Sequence, residues 1–300
     1  MTIDLLNTTR PKTKETKETE NLKDVADTIL DDIKNQKFGV LSGFPELDLM
    51  TRGFFGGELT IIASRPSMGK SSLMLDMALR AWMAKYRVMV LSLEMSLFSV
   101  KERVIANLSR VPLDSIKYDM ETAEERERLA RAIDRLKNKD FVINASGGLK
   151  PSQIREAASI CRDKHGLDII FVDYLQLLRP DIKSGSRQQE ITDISMDLKD
   201  IAMRLDMPVV ALSQLSRANE HRDDHRPRLS DLRESGSLEQ DAHKVILLHR
   251  EDYYRQREDK TALLDGKAEC ILAKNRQGPT GDITLCWIPK FFTFEEPNQL

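Results

Sequence analysis

The sequence predicts an α/β fold with a mostly parallel central sheet flanked by helices. Short, continuous apolar runs recur along the chain, and longer segments of helical periodicity separate most of them. A loop rich in small residues also joins the first apolar run directly to a helical segment. Parallel strands covered on both faces read as unbroken apolar runs because neither side meets water. The runs are Leu59–Ala63, Val88–Leu93, Phe141–Ile143, Ile169–Val172, Val209–Leu212 and Val245–Leu248. The helical segments are Lys70–Lys85, Leu97–Ser109, Ala123–Lys137, Ser152–His165 and Gln189–Leu205. The end of the chain departs from this alternation. Ala268–Lys274 and Asp282–Ile288 flank Gly278-Pro-Thr-Gly281 and predict antiparallel C-terminal strands.

Ahead of the sheet, residues 1–20 are rich in Thr, Lys and Glu and almost free of apolar side chains after Leu6, which predicts a disordered polar tail. From Asn21, a suitable N-cap, the residues Leu22, Val25, Ala26, Ile29, Leu30 and Ile33 repeat at helical spacing. This predicts an amphipathic linker helix over residues 21–38. Its stripe must be buried, either on its own core or on a neighbouring subunit. Residues 39–300 then form one large domain.

The totals exclude several classes. Of the 300 residues, 40% are hydrophobic and 31% charged, which suits a protein with a real core and a charged surface. No run approaches the roughly 18 apolar residues of a membrane span, so no membrane is expected. The N-terminus lacks a secretory signal, and a cytoplasmic location follows as an expectation. A net charge of −2 rules out a globally basic nucleic-acid binder but leaves local patches open. Cys161, Cys270 and Cys286 are scattered without a CxxC pair, which argues against disulfides and zinc. His221 and His225 stand four residues apart, but their polar surroundings suit a solvated loop better than a metal.

The strongest chemical signal is Ser64-Arg65-Pro66-Ser67-Met68-Gly69-Lys70-Ser71 followed by Ser72, set between the first strand and a helix. That is the context of a phosphate-binding loop, where free backbone N–H groups and the helix dipole meet an anion. Lys70 is placed for the β- and γ-phosphates of ATP and the Ser71 hydroxyl for Mg²⁺. The usual opening glycine is replaced by Ser64. Asp173 ends the apolar strand Asp168-Ile-Ile-Phe-Val-Asp and suits the same metal. Glu94 follows the strand Val88–Leu93, where it can activate a water or cap the next helix. Parallel strands bring their C-terminal ends to one crevice. Gln214 ends a third strand there, as a γ-phosphate sensor or a strand cap.

These blocks, taken together, resemble the motor of DnaB-type replicative helicases, a P-loop NTPase core of the RecA-like kind. The resemblance is carried by Phe44-Pro-Glu-Leu-Asp-Leu-Met-Thr-Arg-Gly-Phe54, the phosphate loop, Leu91-Ser-Leu-Glu-Met-Ser96 and Asp173-Tyr-Leu-Gln-Leu-Leu178. Leu212-Ser-Gln-Leu-Ser-Arg217, Asp231-Leu-Arg-Glu-Ser-Gly-Ser-Leu-Glu-Gln-Asp241 and Lys274-Asn-Arg-Gln-Gly-Pro-Thr-Gly281 complete it, from about Asn21 to Phe294 in consistent order. In that family the first glycine of the loop is commonly a small residue, as Ser64 is here.

The resemblance implies roles. Glu94 matches the catalytic glutamate, Asp173 the magnesium-holding aspartate and Gln214 the sensor. Lys274 and Arg276 match a basic pair that a neighbouring subunit inserts into the nucleotide site; by composition alone they read as a solvated pair on an edge hairpin. Single-stranded DNA is implied against Arg233, Glu234 and Gly236, and against a second loop, residues 181–190, through Lys183 and Arg187. By composition the whole stretch Arg217–Arg233 reads as solvated and mobile. Such grips hold phosphates and read no sequence.

The implied protein is a homo-hexamer, or another ring or helical homo-oligomer, that hydrolyses ATP at subunit interfaces and moves along single-stranded DNA 5′ to 3′. A helicase loader and primase are the partners the family brings. DnaB-type chains usually carry an N-terminal collar domain, and this sequence places only the tail and the linker helix before the motor. That leaves the primase contact open, and both a natural minimal helicase and a shortened chain fit. Two other readings stand beside it: a RecA- or RadA-like recombinase, and a nucleotide-binding loading module with little unwinding of its own.

Overall fold

The computed structural model describes residues 38–137, 140–183, 185–216, 220, 222 and 224–297, with the side chains of 233–236 left aside. The expected tail and linker helix, Arg217, His221, the side chains of Arg233 and Glu234 and the surroundings of Gly236 therefore lie outside what the structure describes.

A nine-stranded sheet runs through the molecule. Its strands are β1 (Leu59–Ser64), β2 (Val88–Ser92), β3 (Phe141–Asn144), β4 (Ile169–Asp173), β5 (Val209–Gln214), β6 (Lys244–His249), β7 (Lys267–Asn275), β8 (Gly281–Ile288) and β9 (Thr293–Glu295). They lie in the order β3-β2-β4-β5-β1-β6-β7-β8-β9. From β3 to β6 every pairing is parallel, and from β6 to β9 every pairing is antiparallel. The fold class expected from the sequence is therefore present, including the antiparallel end.

The unbroken apolar runs have the predicted cause. Strands β1, β2, β4 and β6 are buried along their whole length. Their alternate side chains feed two cores, one on each face of the sheet. Ile62, Val90, Phe171 and Val210 meet the phosphate-loop helix α2 (Lys70–Met83) on one face. Ile61, Leu91, Ile170 and Ala211 meet α6 (Pro151–His165) and α7 (Arg187–Leu205) on the other. Strand β3, at the edge, is only half-buried.

The remaining α-helices among the described residues are α1 (Pro45–Thr51), α3 (Leu97–Ser109), α4 (Leu113–Lys117), α5 (Ala123–Lys137), α8 (Gly236–Asp241) and α9 (Glu251–Glu258). Helix α3 starts at Ser96, whose side chain accepts from the Ser99 N–H, and α7 starts at Ser186 in the same way. The second expected DNA loop is therefore shorter than the sequence suggested. It ends at Ser186, and Arg187–Glu190 form the first turn of α7. No helix among the described residues is long and apolar enough to cross a membrane.

Candidate nucleotide site

The C-terminal ends of β1, β2, β4 and β5 share one edge of the sheet, and the register fixes how. Ser64 lies beside Gln214, and Ser92 lies beside Asp173. The residues singled out on four separate strands are thus brought to one crevice, as open α/β sheets do at their carboxyl edge.

The phosphate loop bulges over this edge and leads into α2. Gly69 is the N-cap of α2 at φ 96° and supplies no side-chain acceptor, so the first N–H groups of the helix stay free for an anion. A side chain there would be strained by the backbone and would also meet the Phe294 ring, 2.9 Å from a built Cβ. Pro66 and Ser67 are exposed, while Ser64 and Met68 are buried beneath the loop. Ser64 Oγ donates to the Arg65 carbonyl at 2.9 Å. The Arg65 guanidinium turns away, donating to Leu215 O at 2.7 Å and to Glu220 Oε1 at 2.7 Å. Ser64, Arg65 and Met68 shape the loop through backbone and packing, rather than presenting side chains to its mouth.

Lys70, Ser71, Asp173 and Glu94 converge. The Lys70 ammonium stands 4.5 Å from the centroid of the Tyr174 ring. Burial pushes its pKa down, while the charges of Asp173 and Glu94 pull it back up. Burial raises the Asp173 carboxyl; Lys70, a hydrogen bond with Ser71 and Arg103 oppose the rise, and Glu94 adds to it. Asp173 Oδ1 is buried without a hydrogen-bond partner. A carboxylate oxygen left open beside a serine hydroxyl is a donor set that suits a hard divalent cation. Glu94 is exposed at the mouth.

Arg103, on α3, was not legible as a site residue. Its guanidinium is 3.4 Å from Ser72 Oγ and rests over the Phe292 ring at 5.2 Å. Burial pushes its pKa down, and Asp173, Glu94 and Glu102 pull it up. The available signal was an arginine one residue before Val104 on the buried stripe of an amphipathic helix. Ser72, counted in sequence with the phosphate loop, faces this arginine.

Lys274 and Arg276 are not in this crevice. The register sets Thr60 beside Lys244 and Lys244 beside Asn275. The pair therefore lies at the opposite edge of the sheet, about 13 Å along β1 from Ser64 at the usual strand rise. Lys274 Nζ donates to the Glu239 carbonyl and Arg276 to the Gln240 carbonyl, both on α8. Burial and the neighbouring Arg276 push the Lys274 pKa down.

The other expected contacts are mixed. Lys183 and Arg187 are exposed; Arg187 donates to the Gln176 carbonyl and to Glu190 Oε2. The stretch before Arg233 is less solvated than its composition suggested. Arg222 binds Asp231, and Arg226 binds Glu269 and Asp282, pinning the segment to β7 and β8. His225 stacks on Tyr254 at 4.2 Å. Among the described residues no cluster of His, Cys, Asp and Glu is built to hold a metal.

This arrangement has close counterparts. The profile of the DnaB-like helicase C terminal domain family matches residues 39–296. The chain belongs to that family. It is 38% identical over 290 residues to the replicative DNA helicase DnaC of Bacillus subtilis (strain 168), covering 94% of this chain and 63% of that protein. Among solved structures it is similar to one described as an ATPase domain, with a TM-score of 0.85, 37% identity and coverage of 93% of this chain and 99% of the other. A DnaB-like replicative helicase, described with its interactions with primase, superposes with a TM-score of 0.82 at 37% identity, over 93% of this chain and 67% of the other. The chain spans 61–63% of the length of the first two curated relatives it matches.

Proposed function

We propose that this chain is the motor of a replicative DNA helicase that hydrolyses ATP at subunit interfaces and moves along single-stranded DNA. One observation carries the reading: the sheet register separates the phosphate loop, Asp173 and Glu94 at one edge from Lys274 and Arg276 at the other. A basic pair so placed serves a nucleotide only when another copy delivers it, so a complete site needs two subunits.

Within one copy the loop amides of Gly69–Ser72 and Lys70 bind the phosphates. Ser71 with Asp173 would hold Mg²⁺, which would supply neutralisation of phosphate charge. Glu94 accepts the proton of the attacking water, and Gln214 senses the γ-phosphate. Lys274 and Arg276 of the adjacent copy stabilise the charge that builds on the transferred phosphoryl group. Arg233, Lys183 and Arg187 through their cations, and Glu234 and Gly236 through backbone groups, grip successive phosphates of one strand, which favours salt-sensitive binding without sequence preference.

Assembly has a fitting receptor. A groove of about 600 Å³ opens between α3, α4, α5 and β3, lined by Phe98, Ile105, Leu113, Ile116, Phe141 and Ile143. Phe98 is 70% exposed, a poor state for a phenylalanine in water. The amphipathic segment 21–36, with its stripe of Leu22, Val25, Ile29, Leu30 and Ile33, is the occupant we assign, supplied by a neighbouring copy.

The test is ATP hydrolysis with and without single-stranded DNA, together with particle mass in the same buffer and strand separation on a forked duplex. DNA-stimulated turnover by a ring-sized particle that separates strands supports the reading. Monomers with DNA-indifferent turnover and no unwinding refute it in favour of a loading module.

A further inference from the structure

Gln176 holds none of the roles assigned above, yet it secures the end of β5. The ladder between β4 and β5 pairs Ile170 with Val209, Phe171 with Val210 and Val172 with Ala211, and stops there. Beyond Asp173 the chain winds into a short helical turn, Leu175–Leu177. Strand β5 continues to Gln214, so Ser213 and Gln214 lose their neighbouring strand on that side. The Gln176 side chain takes its place. Its Nε2 donates to Ser213 Oγ at 2.9 Å and to the Gln214 carbonyl at 3.2 Å, and its Oε1 accepts from the Gln214 N–H at 3.2 Å. A side-chain amide can do this because it carries a donor and an acceptor side by side, as a peptide does. On the other flank Gln214 lies in register with Ser64 at the start of the phosphate loop.

The main chain of the same residue looks toward a different element. The Gln176 carbonyl accepts from the Arg187 guanidinium. Arg187 opens α7, directly after the loop that ends at Ser186, and its side chain is half exposed. One residue thus hydrogen-bonds to the exposed cation at the start of α7 through its backbone and to the backbone of Gln214 through its amide.

We propose that Gln176 is a positioning residue that sets Gln214 relative to the nucleotide according to whether Arg187, at the start of α7, is engaged. The inference rests on reading Gln214 as the nucleotide sensor and Arg187 as a contact to the phosphates of a nucleic-acid strand. Glu190 Oε2 holds one nitrogen of the Arg187 guanidinium at 2.7 Å, and a phosphate competes for the other, for which it is a stronger partner than the neutral Gln176 carbonyl. Releasing that carbonyl frees the turn at 175–177 to shift, and the amide that substitutes for a strand moves with it. The two hydrogen bonds on Gln214 carry the change to the sheet edge beside Ser64, a contiguous path of the kind through which sites couple.

The experiment uses the full chain and an oligo(dT) strand. ATP turnover is measured as kcat and KM with and without the strand, and strand affinity is measured separately by fluorescence anisotropy. In Gln176→Leu, which keeps the bulk and removes both hydrogen-bonding atoms, the ratio of kcat with strand to kcat without it falls at least about fivefold, a typical coupling. KM for ATP and strand affinity change far less than this ratio. Gln176→Glu, which is near-isosteric but repels the Gln214 carbonyl, shows the same selective loss and keeps the test available if the leucine variant does not fold. An unchanged ratio in either folded variant overturns the proposal. So does a parallel fall in turnover, strand affinity and melting temperature, which marks a merely structural residue. A wild-type chain whose turnover ignores oligo(dT) sinks the underlying functional reading itself, and that outcome is visible before any variant is made.

Discussion

The Arg103 guanidinium lies 3.4 Å from the hydroxyl of Ser72, the third residue of the phosphate-loop helix. Helix α3 follows β2 and the bend that holds Glu94, and carries this cation back across the mouth of the site. The charge is supported by Asp173 and Glu94 against the cost of burial, and Phe292 backs its plane. A cation held there in the same subunit complements the pair Lys274 and Arg276 that we propose a neighbouring copy supplies.

Arg103→Ala is expected to lower kcat for ATP hydrolysis by roughly 10²–10³, the usual effect of removing one preorganised donor from developing charge. Arg103→Lys recovers little, because a lysine cannot offer the planar fork that spans two acceptors. Steady-state kinetics with single-stranded DNA present check this. If Arg103→Ala turns over at the wild-type rate, the cation serves only to pack α3 against α2.

Glu94 and Asp173 should separate kinetically. Glu94 is exposed at the mouth, so Glu94→Gln removes a proton acceptor without disturbing the core, and hydrolysis falls by roughly 10²–10⁴. Nucleotide affinity is retained. Asp173 is buried with an unpartnered oxygen, so Asp173→Asn instead weakens Mg²⁺-dependent nucleotide binding, and excess metal restores part of it. Isothermal titration of both variants with a non-hydrolysable ATP analogue, at several metal concentrations, distinguishes them. Equal loss of affinity in both would contradict the division of labour.

The legible part of this protein was the part written in local patterns. Buried parallel strands need continuous apolar runs, so six strands were visible within one or two residues at each end. The phosphate loop was visible because its chemistry sits in eight consecutive residues. Short elements such as α4 and β9 were missed, because five residues or three carry no period to count. Arg103 and Gln176 were missed for another reason. Each acts on residues far away in sequence, Ser72 and Gln214, and that adjacency exists only once the sheet order is known. Arg222 and Arg226 were misjudged in the same way: their acids, Asp231, Glu269 and Asp282, arrive partly from β7 and β8.

Asp48 supplies a pH dependence. It sits on α1 and is buried, and its two oxygens accept from Ser42 N–H at 2.8 Å and Gly43 N–H at 3.0 Å. Burial nevertheless wins over these bonds and raises its pKa from 3.8 to about 6. The folded state thus holds the proton more tightly than the unfolded chain. The contribution to stability is complete below about pH 3.8 and is lost as pH rises through about 6, a difference of roughly 3 kcal/mol. Urea unfolding of the wild type and Asp48→Ala at about pH 4.5 and about pH 7.5 reads this directly. The wild-type advantage should be greater in acid; a greater advantage at neutral pH would mean that the hydrogen bonds dominate.

Asp76 tests how the nucleotide loop is held from behind. It is buried on α2 and accepts from Thr293 Oγ1 at 2.9 Å, Phe294 N–H at 2.9 Å, Asn107 Nδ2 at 3.2 Å and Arg80 Nε at 3.3 Å. Strand β9 is only three residues long, so these bonds, with those of Arg80 to Glu295 and the Phe294 carbonyl, fix it to the helix. Phe294 in turn lies against Gly69. Asp76→Ala leaves Arg80 with Glu295 and the Phe294 carbonyl but takes the acceptor from three buried donors, Thr293 Oγ1, the Phe294 N–H and Asn107 Nδ2, and a loss of about 3–5 kcal/mol is expected. Because the Phe294 ring loses its anchor, KM for ATP should rise in the fraction that remains folded. Asp76→Asn keeps one accepting oxygen for the Phe294 N–H and should cost less on both counts. Denaturant midpoints and ATP KM values for the two variants should therefore move in the same order. Stability lost with KM unchanged would show that Gly69 keeps its left-handed conformation without Phe294, and that β9 serves the fold alone.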